Sequence, residues 1–186
     1  MVFERGFKSW CENTAIQIRK DLKLAEVSPL PAKMLASTLA IPVWTPSEVG
    51  GLSQQSASTL QVEDWSALTI SYGGQDAIVY NPAHSLRRQS TDVMHELSHI
   101  LMRHNPSQVM FAEKQDIILR TYDKKQEAEA DWLAGCLLLP RPALLHIARV
   151  NTSTESTLSE YAVSQQLLEY RTNITGVKHQ LRRTRT

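Results

Sequence analysis

Residues 93–101 read VMHELSHIL, and this stretch decides the fold. Apolar side chains recur in it at helical spacing, at Val93, Met94, Leu97, Ile100 and Leu101. Such a stripe packs a helix against a hydrophobic core. His95 and His99 are four residues apart, so both imidazoles lie on one helix face and can reach one metal ion. Glu96 lies beside that position, where a carboxylate can take a proton from water. The stretch therefore predicts a metal-binding helix that carries its own general base.

A second acidic segment follows at residues 127–139, which read EAEADWLAGCLLL. Two histidines fill only half of a tetrahedral zinc site, so a third protein ligand is required. Nearly every position here except the three acids is apolar or small, which predicts a buried helix, where acids are rare unless they are paired or bind metal. Glu127 and Asp131 share one helix face, whereas Glu129 points almost the opposite way. We expect Glu127 to be the third ligand and Asp131 to accept the other ring N–H of a ligand histidine.

A simpler alternative for the acidic residues is a first helical turn stabilised by the helix dipole. This alternative accounts for one or two of the three acids. It does not account for Asp131, which lies a full turn further along among apolar residues.

Together, the two motifs resemble those of the gluzincin metallopeptidases: an H-E-x-x-H helix and, 28 residues after His99, an E-x-x-x-D helix. More narrowly, residues 78–82 with 88–99, 127–134 and 137–140 are similar to the ImmA/IrrE family of bacterial and phage metallopeptidases. Residues 31–43 match that family's N-terminal helix and first strand more loosely. The resemblance covers about residues 25–180.

The resemblance implies an α+β, zincin-like fold, in which a small mixed or antiparallel sheet packs on the metal-binding helices and C-terminal helices follow. It also implies a protein substrate, a helix-turn-helix transcriptional repressor that is cut once to derepress phage, mobile-element or stress genes. Two histidines and a carboxylate suit Zn²⁺ best, with Mn²⁺ or Fe²⁺ as alternatives.

Local patterns predict the remaining elements. We expect a helix over residues 5–24, a short helix from Pro31 to about Thr38 and a strand over 40–45. Strands over 65–72 and 77–81 flank a hairpin turn at residues 73–76. Residues 50–58 are expected to form a surface loop, and Asn105-Pro106 to end the first metal-binding helix.

Composition favours a compact soluble enzyme. The chain has 186 residues, of which 42% are hydrophobic and 21% charged, as in ordinary globular proteins. The formal net charge of +1 provides no general attraction to nucleic acid or to an anionic membrane. No secretory signal and no apolar run long enough to span a bilayer is visible. Cys11 and Cys136 are expected to be reduced residues of a cytoplasmic protein.

The C-terminal third predicts paired helices. We expect a metallopeptidase domain over residues 1–150 and a helical, helix-turn-helix-like segment over 151–186 that packs on it. DNA binding would need basic side chains on the second helix. Residues 165–170 contain no Arg or Lys, and the basic cluster lies at the end of the chain, so direct binding of nucleic acid is not expected.

The oxyanion donor that a peptidase needs is left open by the sequence. His84, Tyr80, Tyr122 and His146 could each donate the hydrogen bond. His104 follows His99 by five residues and would point about 140° away in a continuous helix, so we expect it on the surface.

The sequence therefore predicts a zinc-dependent endopeptidase. His95, His99 and Glu127 bind the metal, and Glu96 takes a proton from the attacking water and passes it to the leaving amine. The alternative is a regulatory or toxin–antitoxin binding module that keeps this fold without turnover. An intact Glu96 argues against the alternative, because a module that only binds has no chemical need for a base.

Overall fold

The computed structural model describes residues 3–49, 65–72, 75–104, 109–112, 115–118, 123–150, 152–177 and 180. The helices in these ranges are α1 (Phe7–Asp21), α2 (Ala32–Thr38), α3 (Leu86–Leu101), α4 (Lys124–Leu138), α5 (Arg141–Val150), α6 (Thr154–Glu160) and α7 (Gln165–Ile174). The strands are β1 (Val43–Trp44), β2 (Ala67–Tyr72), β3 (Gln75–Tyr80), β4 (Val109–Ala112) and β5 (Gln115–Ile118), and a short 3₁₀ turn spans Pro46–Glu48. The α+β class expected from the sequence is confirmed.

The chain forms two compact units. The first contains residues 1–31 and 131–186, and the second contains residues 32–130. These borders differ from the one expected near residue 150, and the predicted division into domains stays a prediction. The expected loop at residues 50–58 lies outside the described residues.

The second unit contains a three-stranded mixed sheet. β3 lies in the middle, parallel to β1 and antiparallel to β2. Tyr72 pairs with Gln75, so β2 and β3 form the expected hairpin, although β3 begins at Gln75, two residues earlier than the sequence suggested. A second hairpin joins β4 and β5.

The two faces of this sheet have different partners. One face carries the buried residues Leu68, Ile70, Ala77 and Val79, on which Trp44 and Trp65 pack. Because side chains alternate along a strand, Thr69 on β2 and its partner Ile78 on β3 project to the opposite face. Helix α3 packs against β2 and β3. The alternation therefore places Thr69 beneath that helix.

Helix α3 is anchored by its apolar stripe and ends earlier than expected. Val93, Met94 and Leu97 are buried, as their spacing predicts. The helix stops at Leu101, before the Asn105-Pro106 pair, because Arg103 takes a left-handed conformation with φ 54°. The amide of His104 donates to the carbonyl of His99 over 2.9 Å, and that of Arg103 donates to Ile100 over 3.0 Å. This pair of bonds is a Schellman ending, which turns the chain back towards the last helical turn.

The first unit is helical, and two buried arginine side chains donate hydrogen bonds to backbone carbonyls within it. Arg19 on α1 donates to the carbonyl of Leu137 over 2.7 Å, and its burial lowers its pKa to about 10. Arg171 on α7 donates to the carbonyl of Leu139 and to Glu12, with an Nη2–Oε1 distance of 2.5 Å. The last carbonyls of a helix have no hydrogen-bond donor within it. These two guanidinium groups supply donors to the carbonyls of Leu137 and Leu139 at the C-terminal end of α4.

The C-terminal helices pair as the sequence predicts. Ser153 and Ser164 cap α6 and α7, and the four residues between the helices include Ala162, which takes φ 50°. Arg171 is the basic residue in the last turn of α7, and it is buried. Most of the basic end of the chain, including residues 181–186, lies outside the described residues.

Within the described residues, no single helix is long and apolar enough to cross a bilayer. In the same part of the chain, one bent pair, α4 with α5 at 45°, meets the length and composition of a span.

Candidate metal centre

Three side chains of the second unit converge at one point. His95 and His99 project from α3, one turn apart, and Glu127 projects from the first turn of α4. The Nε2 atoms of the two histidines are 3.0 Å apart. The Glu127 carboxylate lies 3.2 Å from Nε2 of His95 and 3.7 Å from Nε2 of His99. The sequence predicted this set of three, and the structure brings it together.

The spacing of these atoms fits a divalent cation. Tetrahedral zinc with ligand distances of about 2.0–2.1 Å places neighbouring ligand atoms roughly 3.3 Å apart, a value that the three distances bracket. Two imidazole lone pairs that face each other at 3.0 Å repel unless a proton or a cation lies between them. The three residues could therefore hold a metal ion.

The cluster is partly open to solvent. The side chains of His95, His99 and Glu127 are 21%, 13% and 27% exposed. Structural zinc sites are closed by four protein ligands, whereas catalytic sites keep one position for water or substrate. Three converging protein donors with this exposure leave a position at which water or substrate could reach a bound ion.

Glu96 is held in place by the sheet. Its Oε2 atom accepts a 2.7 Å hydrogen bond from Oγ1 of Thr69, which is buried on β2. This bond fixes one carboxylate oxygen of the residue next to His95. Sequence reasoning missed Thr69, although a signal was present. It is a hydroxyl between the apolar residues Leu68 and Ile70, and it alternates onto the other face of the strand.

The expectation that His104 lies on the surface is wrong. Its side chain is 9% exposed, and its Nδ1 atom is 3.0 Å from Nδ1 of His99. On the other side, Nε2 of His104 lies 3.4 Å from Oε2 of Glu129. Burial lowers the pKa of His104, an effect that Glu129 opposes only in part. The expectation failed because it assumed a continuous helix, whereas the left-handed Arg103 turns the chain back.

Glu129 and Asp131 also differ from expectation. Glu129 was expected to point away from the face of Glu127 and had no predicted role, yet its carboxylate faces His104. Asp131 was expected in a buried environment, but it is exposed and belongs to the first compact unit. Its predicted hydrogen bond to a ligand histidine stays a prediction.

Two of the four candidate oxyanion donors have partners in the structure. Nδ1 of His84 is 3.0 Å from Oδ2 of Asp92 on α3. The hydroxyl of Tyr80 accepts from Nζ of Lys33 over 3.2 Å. His146 is exposed in the first unit, and Tyr122 lies outside the described residues. The choice of donor is therefore a matter for mutagenesis.

The chain matches a known family of proteins. The family model of peptidase M78, described as the IrrE N-terminal-like domain, matches residues 57–173. This span covers more than half of the chain and includes His95, Glu96, His99 and Glu127. The comparison with individual curated proteins gave no significant match.

Proposed function

The chain belongs to the peptidase M78 family, and from this premise we propose that it is a metal-dependent endopeptidase. His95, His99 and Glu127 would hold one divalent cation, with zinc preferred for a donor set of two imidazoles and one carboxylate. The observation that carries the proposal is the convergence of these three donors at 3.0–3.7 Å beside Glu96.

The cation, when bound, would supply Lewis acidity that lowers the pKa of water and polarises a carbonyl group. Glu96 acts as the general base, accepting a proton from the attacking water and later donating it to the nitrogen of the leaving amine. Thr69 holds Oε2 of Glu96, which keeps the carboxylate in one orientation during both transfers.

We further propose that the substrate is a helix-turn-helix transcriptional repressor and that the protein acts in the cytoplasm. The proposed substrate rests on the resemblance of the site motifs to those of the ImmA/IrrE family, since a fold alone does not identify a substrate. Free thiols at Cys11 and Cys136 are in keeping with a reducing compartment.

The deciding experiment replaces the base and leaves the metal ligands in place. We expect Glu96→Gln to keep the fold and the metal, because it changes neither the size of the side chain nor the three donors. Hydrolysis should fall by at least ~10²-fold, since a neutral amide cannot take the proton that the Glu96 carboxylate accepts. Each protein is co-expressed with a helix-turn-helix repressor from the same genome, and the repressor is followed on a gel. Glu155→Gln, at an exposed position of α6, is the matched control.

A repressor that is cut by the wild type and by Glu155→Gln but not by Glu96→Gln supports the peptidase. A repressor that stays intact with all three proteins, while its regulation changes equally, would show a binding module.

A further inference from the structure

The second ring nitrogen of His99, Nδ1, faces the ring of His104. His99 directs Nε2 towards His95 and Glu127, and its Nδ1 atom lies 3.0 Å from Nδ1 of His104. A histidine that binds a metal through Nε2 carries its proton on Nδ1, so this proton can be donated only to an acceptor on that side.

His104 is placed to be that acceptor. If Nδ1 of His104 accepts the proton of His99, its own proton must sit on Nε2. That atom lies 3.4 Å from Oε2 of Glu129, whose side chain is 14% exposed. One arrangement of protons thus satisfies the two imidazoles and the carboxylate. The three side chains, His99, His104 and Glu129, are called the relay below.

The backbone supports the same arrangement. The amide of His104 donates to the carbonyl of His99, so the two residues are joined by both main chain and side chain. This return of the chain requires φ 54° at Arg103, a conformation that costs a non-glycine residue roughly 1 kcal/mol. The folded protein retains this strain where it brings a second histidine to a proposed metal ligand.

We infer that His104 and Glu129 are positioning residues for the metal centre: they fix the tautomer and ring orientation of His99, so that Nε2 faces the cation. The inference rests on the proposed function, because it assumes that His99 binds a metal. Partners of this kind raise the basicity of a ligand histidine and limit its rotation, and their loss typically costs about 10- to 100-fold in metal affinity.

The test measures the Zn²⁺ dissociation constant of the full-length protein by competition with a chromophoric chelator. His104→Phe keeps a planar ring but removes both nitrogens, and we expect the dissociation constant to rise about 10- to 100-fold. His104→Asn places an amide near the position of Nδ1 and should recover part of the loss. Glu129→Gln should have a smaller effect than His104→Phe.

Lys125→Met provides the matched control. Nζ of Lys125 lies 3.8 Å from Oε1 of Glu129 and its side chain is 54% exposed, so the substitution removes a neighbour of the relay without touching His104. Its dissociation constant should equal that of the wild type. Thermal unfolding of the metal-free proteins, and visible absorption of the Co²⁺ forms, separate positioning from general stability.

A weaker Zn²⁺ affinity and an altered Co²⁺ spectrum in His104→Phe, with unchanged metal-free unfolding and partial recovery in His104→Asn, support the relay. Wild-type affinity in His104→Phe would overturn the relay and leave the peptidase proposal standing. A loss of metal-free stability with unchanged affinity would also overturn it, in favour of a structural role. Should His104→Phe not fold, Glu129→Gln and His104→Asn decide the question by the same measurements. A wild-type protein that binds no divalent metal would refute both proposals.

Discussion

The hydroxyl of Thr69 donates a 2.7 Å hydrogen bond to Oε2 of Glu96. The bond links a buried position of β2 to the residue between the two histidines of α3. The bond fixes Oε2 of the Glu96 carboxylate to the sheet.

Thr69→Val should therefore impair cleavage without removing the metal. Valine fills the same volume but cannot donate, and a hydrogen bond to a charged group contributes about 1.5–3 kcal/mol. We expect the cleavage rate to fall roughly tenfold at unchanged metal content. Thr69→Ser, which keeps the hydroxyl, should stay close to the wild type, and equal losses in the two variants would point to packing instead.

The ligand set predicts the metal content directly. Purified protein should carry about one divalent metal per chain, and elemental analysis should find almost none in His95→Ala or His99→Ala, because two remaining donors hold the ion poorly. Glu127→Ala should lose it as well. His146→Ala removes an exposed histidine and should keep full occupancy. Full occupancy in both His95→Ala and His99→Ala would place the site elsewhere.

The ion pair between buried Arg171 and partly buried Glu12 predicts a large effect on stability. The Arg171 side chain is 1% exposed, and Glu12 also accepts from the amide of Arg141 over 2.9 Å. Glu12→Gln leaves a buried guanidinium without its counter-charge, a change that costs about 3 kcal/mol. The midpoint of urea unfolding should fall accordingly. Arg149→Gln, at an exposed position, should leave the midpoint unchanged. A Glu12→Gln protein as stable as this control would contradict a stabilising role for the ion pair.

Cys136 should be unreactive in the folded protein. A hydrogen bond with Cys11 and burial raise the pKa of its thiol, so the reactive thiolate is negligible near neutral pH. Iodoacetamide at pH 8 should label neither cysteine in the native state and both in denaturant, as counted by mass spectrometry. Rapid native labelling at either position would contradict this prediction.

How far the sequence predicts the site depends on whether the information is local. The positions of His95, Glu96 and His99 follow from helical spacing, and Glu127 follows from the cost of burying an acid, so these residues could be assigned in advance. The hairpin of β2 and β3 was signalled by alternation and two glycines.

The positions of His104 and Asp131 depend on the three-dimensional structure around them and not on local sequence patterns. Nothing in residues 99–104 marks the left-handed turn at Arg103, because no glycine stands there. The position of His104 therefore could not be deduced. The exposure of Asp131 depends on which arc of α4 the other helices of its unit cover, and apolar neighbours in the sequence do not determine that.

The two buried arginines have a consequence for the order in which the chain folds during translation. The contact of Arg19 with Leu137 spans 118 residues, and that of Arg171 with Glu12 spans 159. Residues 32–130 are continuous in sequence, so the second unit can close while the ribosome is still extending the chain. The contacts of helix α1 with Leu137 and Arg171 can form only after these later residues have been synthesised. We expect pulse proteolysis of stalled nascent chains to find residues 32–130 protected before residues 7–21, and simultaneous protection would refute this order. Until Leu137 has been synthesised and has folded into place, the guanidinium group of Arg19 remains exposed to water.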